Sequence, residues 1–198
     1  EENLKYLEKK YQNTTAYPCD VSVIKKFKET INNIQTEHGS ADVIIHNAPL
    51  GTRGPILDLS FKDLENNFRV NTTALLVLSQ MTLPKMLEKG SGTIIVTGNT
   101  AAERGKDGWG FFAASKSAQK ILAESMAREF GPKGIHVAYI IIDALIDTPR
   151  TRPRLAPDKP DHFFASPTHI AKEIFNVVKQ DRSAWSFRVE LRPYGEYW

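Results

Sequence analysis

A single cysteine, Cys19, occurs in the 198 residues. An intrachain disulfide is therefore excluded, which accords with a reducing compartment. Long apolar runs are also missing. The longest strongly apolar stretch, residues 137–142, is strand-sized, well short of the roughly 18 residues a membrane-spanning helix requires. Charge of one sign is scarce: 26 Lys and Arg against 23 Asp and Glu leave a net charge of +3. The basic residues are scattered, so the footprint of a nucleic-acid binder is absent. No cluster of His, Cys, Asp or Glu has metal-ligand spacing, and no metal is expected. Repeats, low-complexity tracts and a signal peptide are lacking, and residue 1 is Glu within a helical pattern. Upstream sequence is therefore expected not to be included. What is present is the composition of one globular domain, residues 1–198, with 41% hydrophobic and 25% charged residues. The expectation is a cytoplasmic protein with neither membrane nor nucleic acid as a partner.

The pattern along the chain alternates between two periods. Residues 3–11 place Leu4, Leu7 and Tyr11 on one helical face. Residues 14–19 are short and β-prone. Ser22 is an expected N-cap for a helix turning Val23, Phe27, Ile31 and Ile34 inward and ending near Gly39. Residues 42–48 read as a buried strand, and 49–55 as a loop with two glycines and two prolines. Ser60 with Asp63 forms a capping-box pattern. It opens a helix through Leu87, expected to break or bend at Pro84. A buried strand at 93–97 is followed by a loop at 101–110. A helix at 111–130, closed by Gly131, precedes a buried strand at 135–142. The proline-rich stretch 143–165 is mostly loop. Ser166-Pro167 starts a helix to about Lys179, and 187–191 form a last strand. Continuous apolar strands separated by helices predict an α/β fold, with a parallel sheet covered on both faces.

In such sheets ligands sit at the carboxyl ends of the strands. Asp20, Asn47, the run Gly98-Asn99-Thr100 and residues 143–148 fall there, and Lys116 lies one turn into the following helix. His46 reads as a satisfied core residue. The arginines around Arg150-Thr151-Arg152-Pro153-Arg154 read as a solvated loop.

Several local motifs, in this order and spacing, resemble the short-chain dehydrogenase/reductase family over essentially the whole chain. They are Cys19-Asp20-Val21, His46-Asn47-Ala48-Pro49, Val70-Asn71, Gly92-Thr93-Ile94-Ile95-Val96, Phe112-Ala113-Ala114-Ser115-Lys116 and Gly131-Pro132-Lys133-Gly134-Ile135-His136-Val137. The resemblance implies a Rossmann-like doubly wound sheet, here incomplete at its N-terminal side. It also implies NAD or NADP as cofactor, with a small carbonyl or alcohol substrate. Asp20, Val21, Asn47, Ala48, Lys116 and Thr148 would serve cofactor binding. Asn71, Asn99, Phe112 and Lys116 would occupy the four catalytic positions. A homodimer or homotetramer is implied, with the two long helices pairing between subunits through residues such as Leu76, Val77, Leu122 and Met126; a core role explains some of these equally well.

The sequence departs from that pattern. Phe112 stands where the family has the tyrosine that donates a proton. Asn99, or Thr100 with a one-residue shift, stands at the serine that steadies the oxyanion. Pro49 replaces a glycine, and Asp143-Ala144 replaces Pro-Gly. Nothing before Asp20 resembles the glycine-rich turn that cradles a pyrophosphate. The residue that separates NAD from NADP would lie with that turn. Two function classes follow: an oxidoreductase with an atypical site, or a non-catalytic scaffold or cofactor-sensing relative. An unrelated flavodoxin-like domain is a third.

Overall fold

The computed structural model describes residues 2–196. Its centre is a parallel sheet of β1 (Val43–His46), β2 (Gly92–Gly98), β3 (Ile135–Ile142) and β4 (Arg188–Leu191), in that spatial order. Parallel neighbours need crossover connections, and helices provide them. α1 (Glu2–Lys10) and α2 (Ile24–His38) lie before β1, while α3 (Phe61–Phe68) and α4 (Ala74–Lys89) join β1 to β2. They are followed by α5 (Gly110–Phe130), the short α6 (Thr151–Leu155) and α7 (Pro167–Val178). The family expected from the sequence has this α/β architecture.

Alternation along the strands divides the core. Ile94, Val96, Val137, Tyr139 and Ile141 face one layer and pack with Leu75, Met86, Ala123 and Met126 of α4 and α5. Ile95, Ala138, Ile140 and Ile142 face the other and pack on α7 through Val177, Ile170 and Ile174. Every residue of β3 is buried, as a strand covered on both faces should be. Phe27 and Ile31 of α2 pack against Ala74 and Val77 of α4. Among the described residues, no helix is long and apolar enough to cross a membrane.

Several expectations are corrected. Residues 14–19 form no strand. A strand exists only through its ladder, and this segment bonds to helices instead. Ala16 N donates to Glu8 Oε1 at 2.6 Å, and the Tyr17 hydroxyl meets Glu37 at 2.5 Å. β1 is not buried throughout: Val43 and Ile45 are 43% and 50% exposed, whereas Ile44 and His46 are buried. Leu7 of α1 and Tyr11, just past its end, are exposed rather than packed. The cap of α2 is Val23, itself exposed, and Asp20 rather than Ser22 supplies the local side-chain bond, accepting from Ser22 N at 2.9 Å. The long helix runs through Pro84 and departs from α geometry elsewhere, in a π-helical turn at Arg69–Thr73. Gly131 has ordinary helical angles and leads into a 3₁₀ turn, while Gly134, at φ 88°, reverses the chain. The Ser60–Asp63 capping box forms in both directions. Of the residues expected on outer helix faces, Val77 and Met126 lie in the core, Leu122 packs partly on it, and Leu76 is 38% exposed.

Candidate active site

All four strands end on the same edge of the sheet, so the loops after β1, β2 and β3 bring Asn47, Asn99 and Asp143 to one side. The π-helical turn then sets Asn71 inward. An extra residue in a helical turn re-aims the side chains beside it, a device frequent at functional sites. Asn71 is fully buried. Its Nδ2 donates to Leu50 O and to Ser115 Oγ, both at 2.8 Å, and its Oδ1 accepts from Leu50 N at 2.9 Å. One side chain thereby pins the loop after β1 to α5. Asn67, one turn earlier, repeats the device by accepting from Thr52 N at 3.2 Å and donating to Thr52 Oγ1 at 2.7 Å.

Lys116 points into this network. It is 3% exposed. Its Nζ donates to Thr97 O at 2.9 Å and to Gln119 Oε1. Gln119, fully buried, donates from Nε2 to Asn71 O at 2.6 Å. The lysine is thus tied through a glutamine to the backbone of the π-helical turn. Neither of its acceptors is charged, so burial dominates and brings its pKa down to about 7. His46 lies beside it. Burial first, and then the Lys116 charge, bring the imidazole down to about 4. His46 is a core residue as expected, 4% exposed, with the Asn71 and Val70 backbone acting against the downward shift and no partner at Nε2 among the described residues.

Next to this network lies a cavity of about 280 Å³ whose lining includes Asn99, Thr100, Trp109, Phe112, Asp143 and Leu145. The Asn99 side chain accepts from Ala101 N at 3.1 Å, which aligns its amide at the head of a 3₁₀ turn. Phe112 is 6% exposed, tilted at 45° against Trp109 with ring centroids 5.6 Å apart. Lys116 is not part of the cavity lining.

The structure therefore unites Asn71 and Lys116 in one hydrogen-bonded cluster and Asn99 and Phe112 in one cavity. Asn47 joins the cluster's edge, accepting from Thr97 Oγ1 at 2.7 Å. Ala48 is half-buried in the loop that follows. Asp20 is exposed, and Val21 packs on the α2–α4 cluster. The Thr148 hydroxyl is engaged locally, in the turn leading into α6, bonding Thr151 Oγ1 at 2.7 Å and accepting from Thr151 N at 3.0 Å. Sequence reasoning missed Gln119, although its position three residues after Lys116 puts it on the same helical face.

Comparison with known proteins agrees with this geometry. The chain matches the short chain dehydrogenase family over residues 1–158. It is 33% identical over 140 residues to an uncharacterised short-chain type dehydrogenase/reductase of Sinorhizobium fredii, covering 70% of this chain and 55% of that protein. It is 30% identical over 133 residues to a diacetyl reductase, (S)-acetoin forming, of Staphylococcus epidermidis, covering 67% of this chain and 51% of the relative. An alcohol dehydrogenase from the archaeon Thermococcus sibiricus, solved with 5-hydroxy-NADP, superposes with a TM-score of 0.78 at 21% identity, covering 91% of this chain and 75% of that one. The chain spans about half the length of the curated relatives it matches. With the parallel sheet, the inward asparagine and the buried lysine in the order the sequence foretold, the chain belongs to the short-chain dehydrogenase family.

Proposed function

We propose that this chain belongs to an NAD(P)-dependent oxidoreductase acting on a small carbonyl or alcohol through an atypical site. The observation that carries this reading is the buried Lys116, held by Thr97 O and Gln119 beside Asn71 at the carboxyl edge of the sheet. A lysine is buried without a carboxylate partner only at a cost, and such groups concentrate at functional sites. The diacetyl reductase and the alcohol dehydrogenase with its nicotinamide ligand support the same class.

The donor set fits a nucleotide. Asn47 is exposed at the strand edge with an amide nitrogen free of any hydrogen bond among the described residues, and Asp20 presents an exposed carboxylate. Lys116, Asn47, Ala48 and Thr148 would hold the nicotinamide and its ribose, and Asp20 with Val21 the adenine end. Thr148 would have to release Thr151 to do so. The bound cofactor supplies or takes up the hydride. Among the described residues the Asn99 amide nitrogen has no partner while its oxygen is used in the turn, so it can donate to a substrate oxygen in the cavity. Phe112 has no proton to give. The proton is assigned to water, exchanging with the Lys116 ammonium, whose pKa of about 7 lets it give and regain a proton near neutrality.

Two measurements test this. Fluorescence titration of the full-length protein with NADH and NADPH should show binding, and none at millimolar cofactor rejects the reading. Phe112→Tyr should then raise turnover on a carbonyl panel by about 10²-fold or more, the usual contribution of a positioned acid. Cofactor binding with no gain in Phe112→Tyr would favour a second reading, a cofactor-sensing or scaffolding relative. The buried, hydroxyl-free ring of Phe112 is the observation on that side. Assembly as a homodimer or homotetramer belongs to either reading, with Leu76 of α4 and Ile121 of α5 the exposed apolar residues available.

A further inference from the structure

We propose that the cavity beside Phe112 takes a small carbonyl substrate bearing a carboxylate, which Arg104 and Lys106 hold at the end away from the reacting carbon. The inference rests on the oxidoreductase reading and adds to it the class of substrate.

Size comes first. At about 280 Å³ the cavity lies at the small end of ligand pockets, which run from about 300 to 1,000 Å³. A compact molecule fits.

Charge comes next. Arg104 and Lys106 both line the cavity and come from the one loop between β2 and α5. Neither side chain has a hydrogen-bond or ion-pair partner among the described residues. Four other arginines, Arg128, Arg152, Arg188 and Arg192, each meet a carboxylate, so the acids that pair with a guanidinium are placed outside this loop. The acids close to the loop do not neutralise the pair. Glu103 is taken by Lys120 at 2.7 Å, and Asp107 lies outside the lining. Two acids do line the cavity, Asp143 and Glu196. Asp143 is ion-paired with Arg192. Burial and the Asp143 charge raise the Glu196 pKa while Arg192 lowers it, and Glu196 sets one carboxylate against the two cations Arg104 and Lys106. The uncompensated charge in the cavity is therefore positive.

The surroundings extend that field. The Arg53 guanidinium lies 3.6 Å from the centre of the Trp109 ring, and Trp109 itself lines the cavity. Arg53 loses basicity through burial and through the nearby charge of Arg154. No carboxylate pairs with either guanidinium among the described residues. Like charges gathered on the rim of a cleft attract an anion and raise its local concentration. The loop is also held in shape. Gly54 N donates to Gly108 O at 3.0 Å, Trp109 N to Lys106 O at 3.0 Å, and Arg104 N to Thr100 O at 3.2 Å. A carboxylate offers Arg104 a two-pronged acceptor and Lys106 a point charge. With that end fixed, the carbonyl lies toward Asn99 and Phe112.

The test is calorimetric titration of the full-length protein at low salt with succinate and with succinamide, equal in length but uncharged. Succinate is expected to bind at least about tenfold more tightly, with added salt weakening it. Arg104→Glu with Lys106→Glu is expected to abolish the preference. Both side chains are exposed, so folding should survive, and circular dichroism checks this. Arg104→Gln with Lys106→Gln serves if the charge reversal does not fold. Equal binding of the two probes, no binding of either at tens of millimolar, or succinate binding that survives both double variants overturns the proposal. Parallel titration with NADH and NADPH separates the two readings. Succinate binding without cofactor binding keeps the carboxylate site and removes the oxidoreductase reading. Cofactor binding without the succinate preference does the reverse.

Discussion

At the scale of single residues, the site turns on how Lys116 is held. Two neutral acceptors, Thr97 O and Gln119 Oε1, take its protons, while Gln119 Nε2 donates to Asn71 O. Hydrogen bonds to the charged form favour that form. Gln119→Leu should therefore lower the Lys116 pKa further below about 7, and Gln119→Glu should raise it by placing an anion at the same atom. Carbon-13 shifts of the lysine side chain, followed against pH, would read this directly. A Lys116 signal titrating at one pH in all three proteins rejects the positioning role. Gln119→Leu should also lose about 1–3 kcal/mol of stability, because it strands Asn71 O and one lysine proton in the core. Asn71 and Lys116 were legible in the sequence because neighbouring residues carry a family pattern. Gln119 was not. Its partner atom, Asn71 O, comes within reach only through the π-helical turn, which has no sequence signature of its own.

At the scale of elements, legibility follows how local the cause is. The Ser60–Asp63 capping box and the Ser166-Pro167 helix start were readable because residues three apart or adjacent decide them. The β character of residues 14–19 was readable too, but a ladder needs a second strand, and none pairs with it among the described residues. The buried face of β1 likewise depends on what covers it, and alternation alone did not reveal the exposure of Val43 and Ile45. The β2–β3 seam gives a sharper case. Gly98 and Tyr139 lie on neighbouring strands, and a methyl group on Gly98 would overlap the Tyr139 ring. The tyrosine is fully buried and its hydroxyl has no partner among the described residues, and burial raises its pKa. Gly98→Ala should cost about 1–3 kcal/mol through overpacking. Tyr139→Phe, by removing an unsatisfied polar group, should be neutral or stabilising. Denaturant midpoints measure both. A clear loss in Tyr139→Phe would show that the hydroxyl has a partner, such as a buried water.

At the scale of the whole molecule, the buried cluster makes stability depend on pH. His46 titrates near 4 in the fold against an ordinary 6.5, and Lys116 near 7 against 10.5. Both are depressed, so across each interval the unfolded chain binds the proton that the fold refuses. Stability therefore rises with pH wherever either interval is crossed. It should climb between about pH 4 and 6.5 as His46 loses its penalty, and again between about 7 and 10.5 as Lys116 does. The Tyr17 hydroxyl, bonded to Glu37 and raised to about 12, acts in the opposite sense. Above about pH 10 the fold keeps a proton that the unfolded chain releases, so Tyr17 turns the curve down there. Lys116→Met should flatten the upper climb, because it removes the group whose proton the core disfavours, while leaving Thr97 O and Gln119 Oε1 without their donor. His46→Gln should flatten the lower climb alone. Denaturant midpoints of the full-length protein without ligand, taken from pH 4 to 10, test both variants against the parent. If Lys116→Met retains the parent's slope between 7 and 10, the lysine does not carry its proton in a desolvated site. The proton exchange assigned to it near neutrality then loses its basis. If the slope disappears, the residue that makes the fold less stable at neutral pH is the one that the proposed chemistry requires to be poised there.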